Sequence, residues 1–231
     1  MIKKNVPNFI TCLNLFTGCI AVWLAFQGDY SGAMIAILLS GVFDFFDGLA
    51  ARALKAYSPI GKELDSLADV VSFGLAPGAL VFSLLTESSV AEYLPFVAFL
   101  IPIFSALRLA KFNIDDRQSS SFIGLPVPAN ALFWAGMLYS YSYFLSANPW
   151  LLIALVLLFS LLMVSNLPMF SLKLKGLSWS SSSVQYVFLI GCVALLVFLQ
   201  ADALAPIIAW YIVMSIGLFV IKRKKSEQKQ S

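Results

Sequence analysis

The stretch DFFDGLAARALKAYSPIGKELDSLAD, residues 44–69, sets four aspartates into a chain that is otherwise strongly apolar. It joins the end of one hydrophobic run to the start of the next. Pro59 and Gly61 lie between the runs and can break a helix and turn the chain back. Two helices are therefore predicted to fold against each other, with Asp44 and Asp47 on the first and Asp65 and Asp69 on the second. At about 100° per residue, Asp44, Asp47, Gly48, Ala51 and Arg52 fall within an arc of roughly 140°, so they share a helix face. Asp65 and Asp69 are four apart and become neighbours on the following helix if it begins near Glu63.

Outward from this stretch the composition decides the solvent. The chain has 231 residues, 60% hydrophobic and 12% charged, with a mean hydropathy of +0.89. That is more apolar surface than one compact soluble domain can hide, so an integral membrane protein is expected. Helices and closed barrels are the spanning structures that satisfy their own backbone, and strict two-residue alternation is absent. The fold class is all-α, a polytopic transmembrane helix bundle. About eight spans are predicted, near 9–27, 31–51, 66–85, 93–110, 127–145, 149–167, 184–199 and 204–221. Short connections such as QGDY and SANP make neighbours antiparallel, and no long linker divides the chain, so residues 1–231 read as one domain. No convincing internal repeat is present, which disfavours a transporter built from two related halves.

Lys and Arg near the ends of spans remain on the cytoplasmic side. With eight spans, all 15 Lys and Arg residues fall on one side: Lys3 and Lys4, the stretch Arg52 to Lys62, Arg108 to Arg117, Lys173 and Lys175, and the tail KRKKSEQK. The other side carries Asp29, Glu87, Glu92 and Asp202 and no base. Both termini are therefore expected in the cytoplasm. The net charge of +3 follows from this sorting and from attraction of the tail to anionic headgroups, and nucleic acid is not an expected partner. The first 27 residues resemble a secretory signal in charge and apolarity but show no convincing cleavage site, so they read as a mature helix. Cys12, Cys19 and Cys192 suggest no disulfide framework and read as packing residues.

Carboxylates within hydrocarbon are costly, at least ~2.5 kcal/mol each, and usually face a polar cavity that serves function. Four on two opposed helices would repel one another or stay protonated without a positive charge between them. Hard oxygen ligands in a chain without histidine suit Mg²⁺ or Mn²⁺ rather than zinc. Four Asp can hold two ions ~4 Å apart, a clamp for the oxygens of a phosphoryl group. Gly48 and Ala51 leave room for a ligand against the helix backbone, and Arg52 offers a fork for phosphate. Asp69 is a candidate base toward a hydroxyl nucleophile. Lys55 and Lys62 are more simply cytoplasmic anchors.

The set Asp44, Asp47, Gly48, Ala51, Arg52, Gly61, Asp65 and Asp69 resembles the signature of the CDP-alcohol phosphotransferase family, Asp-x2-Asp-Gly-x2-Ala-Arg-x8-Gly-x3-Asp-x3-Asp, and is complete here. The resemblance implies a membrane enzyme that transfers a phosphatidyl-type group from a CDP-linked lipid to an alcohol and releases CMP. By that resemblance Asp44, Asp47 and Asp65 ligate metal, and Asp69 ligates metal and serves as general base. Gly48, Ala51, Arg52, Gly61 and Ser58 would belong to the CDP-lipid site. The opening PNFIT resembles the family's start, so Asn8 and Thr11 either touch the nucleotide or initiate a helix. The resemblance further implies a homodimer.

LDSLADVVSFGLAPG, ALRLAKFN and FIGLPVPAN resemble the membrane-embedded bacterial phosphatidylserine synthases of that family, which extends the likeness over about residues 7–130. L-serine and CDP-diacylglycerol are then the expected substrates, and the bacterial inner membrane, with the site on its cytoplasmic side, the expected place. Arg108, Lys111 and Asn113 are candidates for the serine carboxylate or a lipid phosphate, with a cytoplasmic anchoring role as the alternative for the two bases. GLPVP, residues 124–128, either shapes an entrance to the site or starts the next helix, and the helix start is favoured for Pro128. Two other readings stay open: the same chemistry with glycerol 3-phosphate or inositol phosphate as acceptor, which would want a denser basic pocket, and a divalent-cation transporter, which would want its carboxylates near the bilayer centre.

Overall fold

The computed structural model describes residues 2–114, 122–172 and 178–227. Arg117, Lys173, Lys175 and Lys229, which contribute to the sorting of bases, lie outside these residues. Among the described residues the chain forms eight helical rods. They are α1 (Ile2–Phe26), α2 (Tyr30–Ala53), a rod built from α3 (Pro59–Asp69), a π-helical segment (Val70–Leu75) and α4 (Ala76–Glu87), a 3-10 turn (Leu94–Phe99) running into α5 (Leu100–Ile114), α6 (Val127–Ala147), α7 (Pro149–Val164), α8 (Trp179–Leu199) and α9 (Leu204–Glu227). Two-residue strands β1 (Phe122–Ile123) and β2 (Pro168–Met169) pair antiparallel where the chain enters α6 and leaves α7, a small addition to the all-α expectation.

Five helical stretches among the described residues are long and apolar enough to cross a membrane: Asn5–Phe26, Tyr30–Ala53, Pro59–Glu87, Leu94–Ile114 and Ser182–Ile221. The last, of 40 residues, is bent back on itself. Gln200 takes a left-handed φ of 51°, and Phe188 of α8 meets Tyr211 of α9 at a ring separation of 5.8 Å. Large side chains such as Phe16, Phe45 and Phe198 stand 61–82% exposed on the rods. Hydrocarbon is the solvent that accepts such a surface, and the chain is an integral membrane protein.

Local chemistry sets the rod ends. Asp29 caps α2 by accepting from the Gly32 N–H at 2.8 Å, and Gly28 before it takes a φ of 71° that completes the tight turn from α1. Ser58 caps α3 by accepting from the Gly61 N–H at 3.1 Å. The break between the aspartate-bearing helices is therefore residues 54–58. Pro59 and Gly61 belong to the first turn of α3, four residues earlier than the expected start near Glu63, because proline at a first helical position lacks only an N–H that would be unpaired anyway. Pro128 likewise lies in the first turn of α6. Pro7 is inside α1, so Asn8 and Thr11 lie within a helix rather than initiating one. Cys12 and Cys19 are exposed rather than packed.

The core is assembled on small residues. Ala21 and Ala25 of α1 and Ala33 of α2 have no exposure, and the two helices pack along their length. Where α1 crosses the π-helical segment, a Cβ on Gly18 would come within 2.8 Å of the Ser72 Cα. On α6, a Cβ on Gly136 would come within 2.7 Å of the Ala205 backbone nitrogen. Gly18→Ala is expected to lower stability by about 1–3 kcal/mol through overpacking, read as a lower thermal unfolding midpoint in detergent. Gly217→Ala, with nothing within 4 Å of its added Cβ, should leave the midpoint unchanged or raise it, since alanine is the better helix former.

Candidate active site at the α1–α2–α3 cleft

The turn at residues 54–58 reverses the chain so that the last turns of α2 face the first turns of α3, and α1 closes the third side. Asp44, Asp47 and Asp65 converge there, each offering a carboxylate oxygen such that all three lie within 4.8 Å of one another. Asp44 and Asp65 are within hydrogen-bonding range of each other. One oxygen of Asp65, Oδ1, is buried without a partner, and among the described residues no Lys or Arg pairs with any of the three. Crowded acceptors with an unanswered lone pair fit a divalent cation with hard oxygen preference, and the donor set contains nothing softer. The residues therefore fit the metal expected of them.

Asp69 stands apart from this trio, although it remains within electrostatic range of all three carboxylates. It is 7% exposed and is held by Asn14 of α1, whose Nδ2 donates to Asp69 Oδ1 at 3.2 Å. Asn14 is fully buried, its own Oδ1 has no partner, and its backbone carbonyl accepts from Ser72 Oγ at 3.0 Å. The π-helical segment begins at the residue after Asp69, so the widened turn that presents Ser72 to α1 starts at the site itself.

A cleft of about 220 Å³ opens from Asp47 and Asp65 toward the 54–58 turn. Asn8, Thr11, Gly48, Ala51, Ser58 and Gly61, all expected at a CDP-lipid site, line it. Thr11 donates to Asp47 Oδ2 at 2.6 Å, with the Pro7 carbonyl a longer acceptor at 3.1 Å. A Cβ on Gly61 would meet Asn8 Oδ1 at 3.0 Å, so glycine is what lets α3 approach α1 here. A Cβ on Gly48 would meet only Arg52 Nη1, at 3.9 Å, so that wall of α2 is open backbone. Arg52 itself is exposed and is not part of the cleft lining.

The second expected group divides. Asn113 donates through Nδ2 to Ser66 Oγ at 2.8 Å and accepts from Lys62 Nζ through its carbonyl at 3.0 Å, which ties the end of α5 to α3. Lys111 is half-buried on the same helix. Arg108 is buried at 4% exposure, away from the cleft lining. Sequence reasoning missed Asn14, Ser72, and Tyr57 and Lys62 of the lining. The signal for Asn14 was available: Asn8, Thr11 and Asn14 recur every three residues within an apolar span, which places polar groups on one helix face.

An integral membrane bundle in which a carboxylate trio adjoins a cleft lined by two of its members, Asp47 and Asp65, is a framework suited to a membrane enzyme that uses a divalent cation. A family model described as CDP-alcohol phosphatidyltransferase matches residues 4–165, and the chain belongs to that family. The CDP-diacylglycerol–serine O-phosphatidyltransferase of Bacillus subtilis is 39% identical over 170 residues, 70% of this chain and 88% of the relative. The protein of the same name from Helicobacter pylori is 32% identical over 222 residues, 90% of this chain and 92% of the relative. The archaetidylserine synthase of Methanothermobacter thermautotrophicus is 35% identical over 129 residues, 55% of this chain and 54% of the relative.

Thr11→Val keeps the side-chain volume and removes the donor to Asp47. Mn²⁺ affinity, measured by isothermal titration on the purified protein, is expected to weaken about tenfold, at the low end of the effect of losing a hydrogen bond that orients a metal-binding side chain.

Proposed function

We propose that the chain transfers the phosphatidyl group of CDP-diacylglycerol to the hydroxyl of L-serine, giving phosphatidylserine and CMP, and that residues 1–231 act as one domain. The observation that carries this reading is the carboxylate trio beside a cleft that Asn8, Thr11, Gly48, Ala51, Ser58 and Gly61 line together with Asp47 and Asp65. The names of the relatives supply the acceptor.

In this reading the nucleotide lies against the open backbone of α2 at Gly48 and Ala51, with Asn8 and Thr11 across from it. Ser58 and Gly61 belong to the start of α3, whose positive dipole end favours phosphate. Arg52, at the rim, reaches toward the diphosphate. Asp44, Asp47, Asp65 and Asp69 would hold two divalent ions, Mg²⁺ or Mn²⁺, which would supply positive charge to offset that of the diphosphate and the departing CMP. Asp69 accepts the proton of the serine hydroxyl, and Asn14 holds its carboxylate in place. The serine oxygen forms a bond to the phosphorus nearest the diacylglycerol, and the bond from that phosphorus to the bridging oxygen breaks, its electron pair leaving with CMP.

Eight membrane spans with both termini in the cytoplasm, in a bacterial inner membrane, complete the proposal. The sorting of bases supports it, as does the tie between Lys62 and Asn113 at the end opposite the neighbouring Gly28 and Glu87. Acyl chains then stay in the bilayer while the headgroup reacts at the interface. Assembly as a homodimer belongs to the same reading. L-serine is preferred to glycerol 3-phosphate and inositol phosphate as acceptor because the relatives are named for serine.

The test is CMP release by purified enzyme with CDP-diacylglycerol and each alcohol in turn. Release with L-serine and little with the phosphorylated alcohols is expected; none with serine would refute the acceptor. Asp69→Asn is expected to reduce turnover by roughly 10²–10⁴-fold in excess Mn²⁺ at unchanged unfolding temperature. Turnover at the wild-type rate would remove Asp69 from the role of base.

A further inference from the structure

Three hydroxyl groups that the cleft does not use converge on one carbonyl. Thr17 Oγ1, Ser72 Oγ and Ser40 Oγ lie 2.9, 3.0 and 3.3 Å from the main-chain oxygen of Asn14, and the Thr17 and Ser40 oxygens are 2.7 Å apart. Each hydroxyl has one proton to give. Ser72 donates to the Asn14 carbonyl, while Thr17 and Ser40 divide theirs among that carbonyl, each other and the carbonyls of Leu13 at 2.9 Å and Ala36 at 3.0 Å. Ser40 and Ser72 have no exposure and Thr17 has 6%. All three oxygens are partnered and none lines the cleft, so this knot binds helices to one another and leaves no lone pair waiting for a ligand.

Each member comes from a different element of the site, about one turn from a residue the reaction uses. Thr17 follows Asn14 by three on α1, Ser40 precedes Asp44 by four on α2, and Ser72 follows Asp69 by three in the π-helical segment. Asn14 is the joint between knot and base. Its main-chain oxygen sits in the knot, and its Nδ2 donates to Asp69 Oδ1 at 3.2 Å. Its Oδ1 has no partner, so the amide is tethered only where it meets Asp69, and its place is set by the main chain of α1.

Helices in an apolar bundle pack on small residues without needing hydroxyls, as Ala21, Ala25 and Ala33 do between α1 and α2. Apolar contact tolerates sliding; directional bonds in a satisfied network do not. A slip of α1 by one residue, about 1.5 Å, would carry Asn14 off Asp69 and Thr11 off Asp47 together, and the knot opposes that slip. Resting on the proposed role of Asp69 as base, we propose that Thr17, Ser40 and Ser72 are positioning residues. Their hydroxyls lock α1 against α2 and the π-helical segment, and through Asn14 they hold the Asp69 carboxylate where it meets the acceptor hydroxyl.

The experiment measures CMP release from CDP-diacylglycerol and L-serine in excess Mn²⁺ by purified wild-type, Ser72→Ala, Thr17→Val and Thr17→Ser enzymes, each also combined with Asp69→Asn. Folding is checked by the rise in thermal midpoint on adding CDP-diacylglycerol, and Ser40→Ala repeats the comparison from α2. Ser72→Ala and Thr17→Val are each expected to lower kcat about tenfold, within the 10²-fold that a small misplacement can cost. The KM for CDP-diacylglycerol should stay within about twofold of wild type. Thr17→Ser keeps the hydroxyl and should hold kcat within about threefold of wild type, which a loss of packing volume alone would not. In the Asp69→Asn background, Ser72→Ala and Thr17→Val should lower the residual rate by less than about twofold, because no carboxylate base is left to misplace. An unchanged kcat in both single variants would overturn the inference, as would Thr17→Ser as slow as Thr17→Val, or the same tenfold loss on top of Asp69→Asn. Wild-type enzyme that releases no CMP with serine would instead refute the underlying reaction, and Asp69→Asn at the wild-type rate the assignment of the base.

Discussion

Three carboxylates within 4.8 Å of one another on two helices of an apolar bundle are the constraint on which everything else in the molecule depends. Water would screen such a cluster; hydrocarbon and packed side chains do not, so the carboxylates must be answered by a cation, hold protons, or push the helices apart. No side chain does the answering among the described residues. The α2–α3 turn holds the two helices together regardless, through the Ser58 cap and the close approach that Gly61 allows to α1. The scaffold thus holds open a place for charge that the chain itself does not supply.

Helix α1 acts as the backbone of the site. One face of it gives Asn8 to the cleft, Thr11 to Asp47, Asn14 to Asp69 and Gly18 to the contact with Ser72. The same helix therefore orders the cluster and the candidate base, and a shift of α1 would disturb both. The π-helical turn after Asp69 belongs to this arrangement, since it brings Ser72 under the Asn14 carbonyl without interrupting the rod. On the opposite flank α5 presses against Gly74 and Gly78.

What the amino-acid string made legible was whatever depends on local spacing. Hydrophobic run length marks the rods, and the intervals among Asp44, Asp47, Asp65 and Asp69 mark the facing helices, because periodicity on a helix is a local property. The helix boundaries shifted where capping chemistry competes with hydropathy, as at Ser58–Pro59, where a polar first turn belongs to the helix but not to the apolar run. Contacts between distant segments were not legible. Nothing in the residues around 108 announces Tyr211, and nothing around 122 announces the pairing with 168–169, because those neighbours are set by how rods pack. The division among Arg108, Lys111 and Asn113 is of the same kind: three polar residues near the end of one helix, of which one is a tether and one is buried with its Nε unpartnered.

The most direct measurement is the stoichiometry of Mn²⁺ bound to purified protein, followed by electron paramagnetic resonance in the presence of CDP-diacylglycerol. Two ions per chain are expected, with spin coupling from their close approach, and Asp44→Asn or Asp65→Asn should abolish the coupled signal. A protein that binds no Mn²⁺, or one whose signal is indifferent to both substitutions, would contradict the claim that these carboxylates gather cations over a diphosphate.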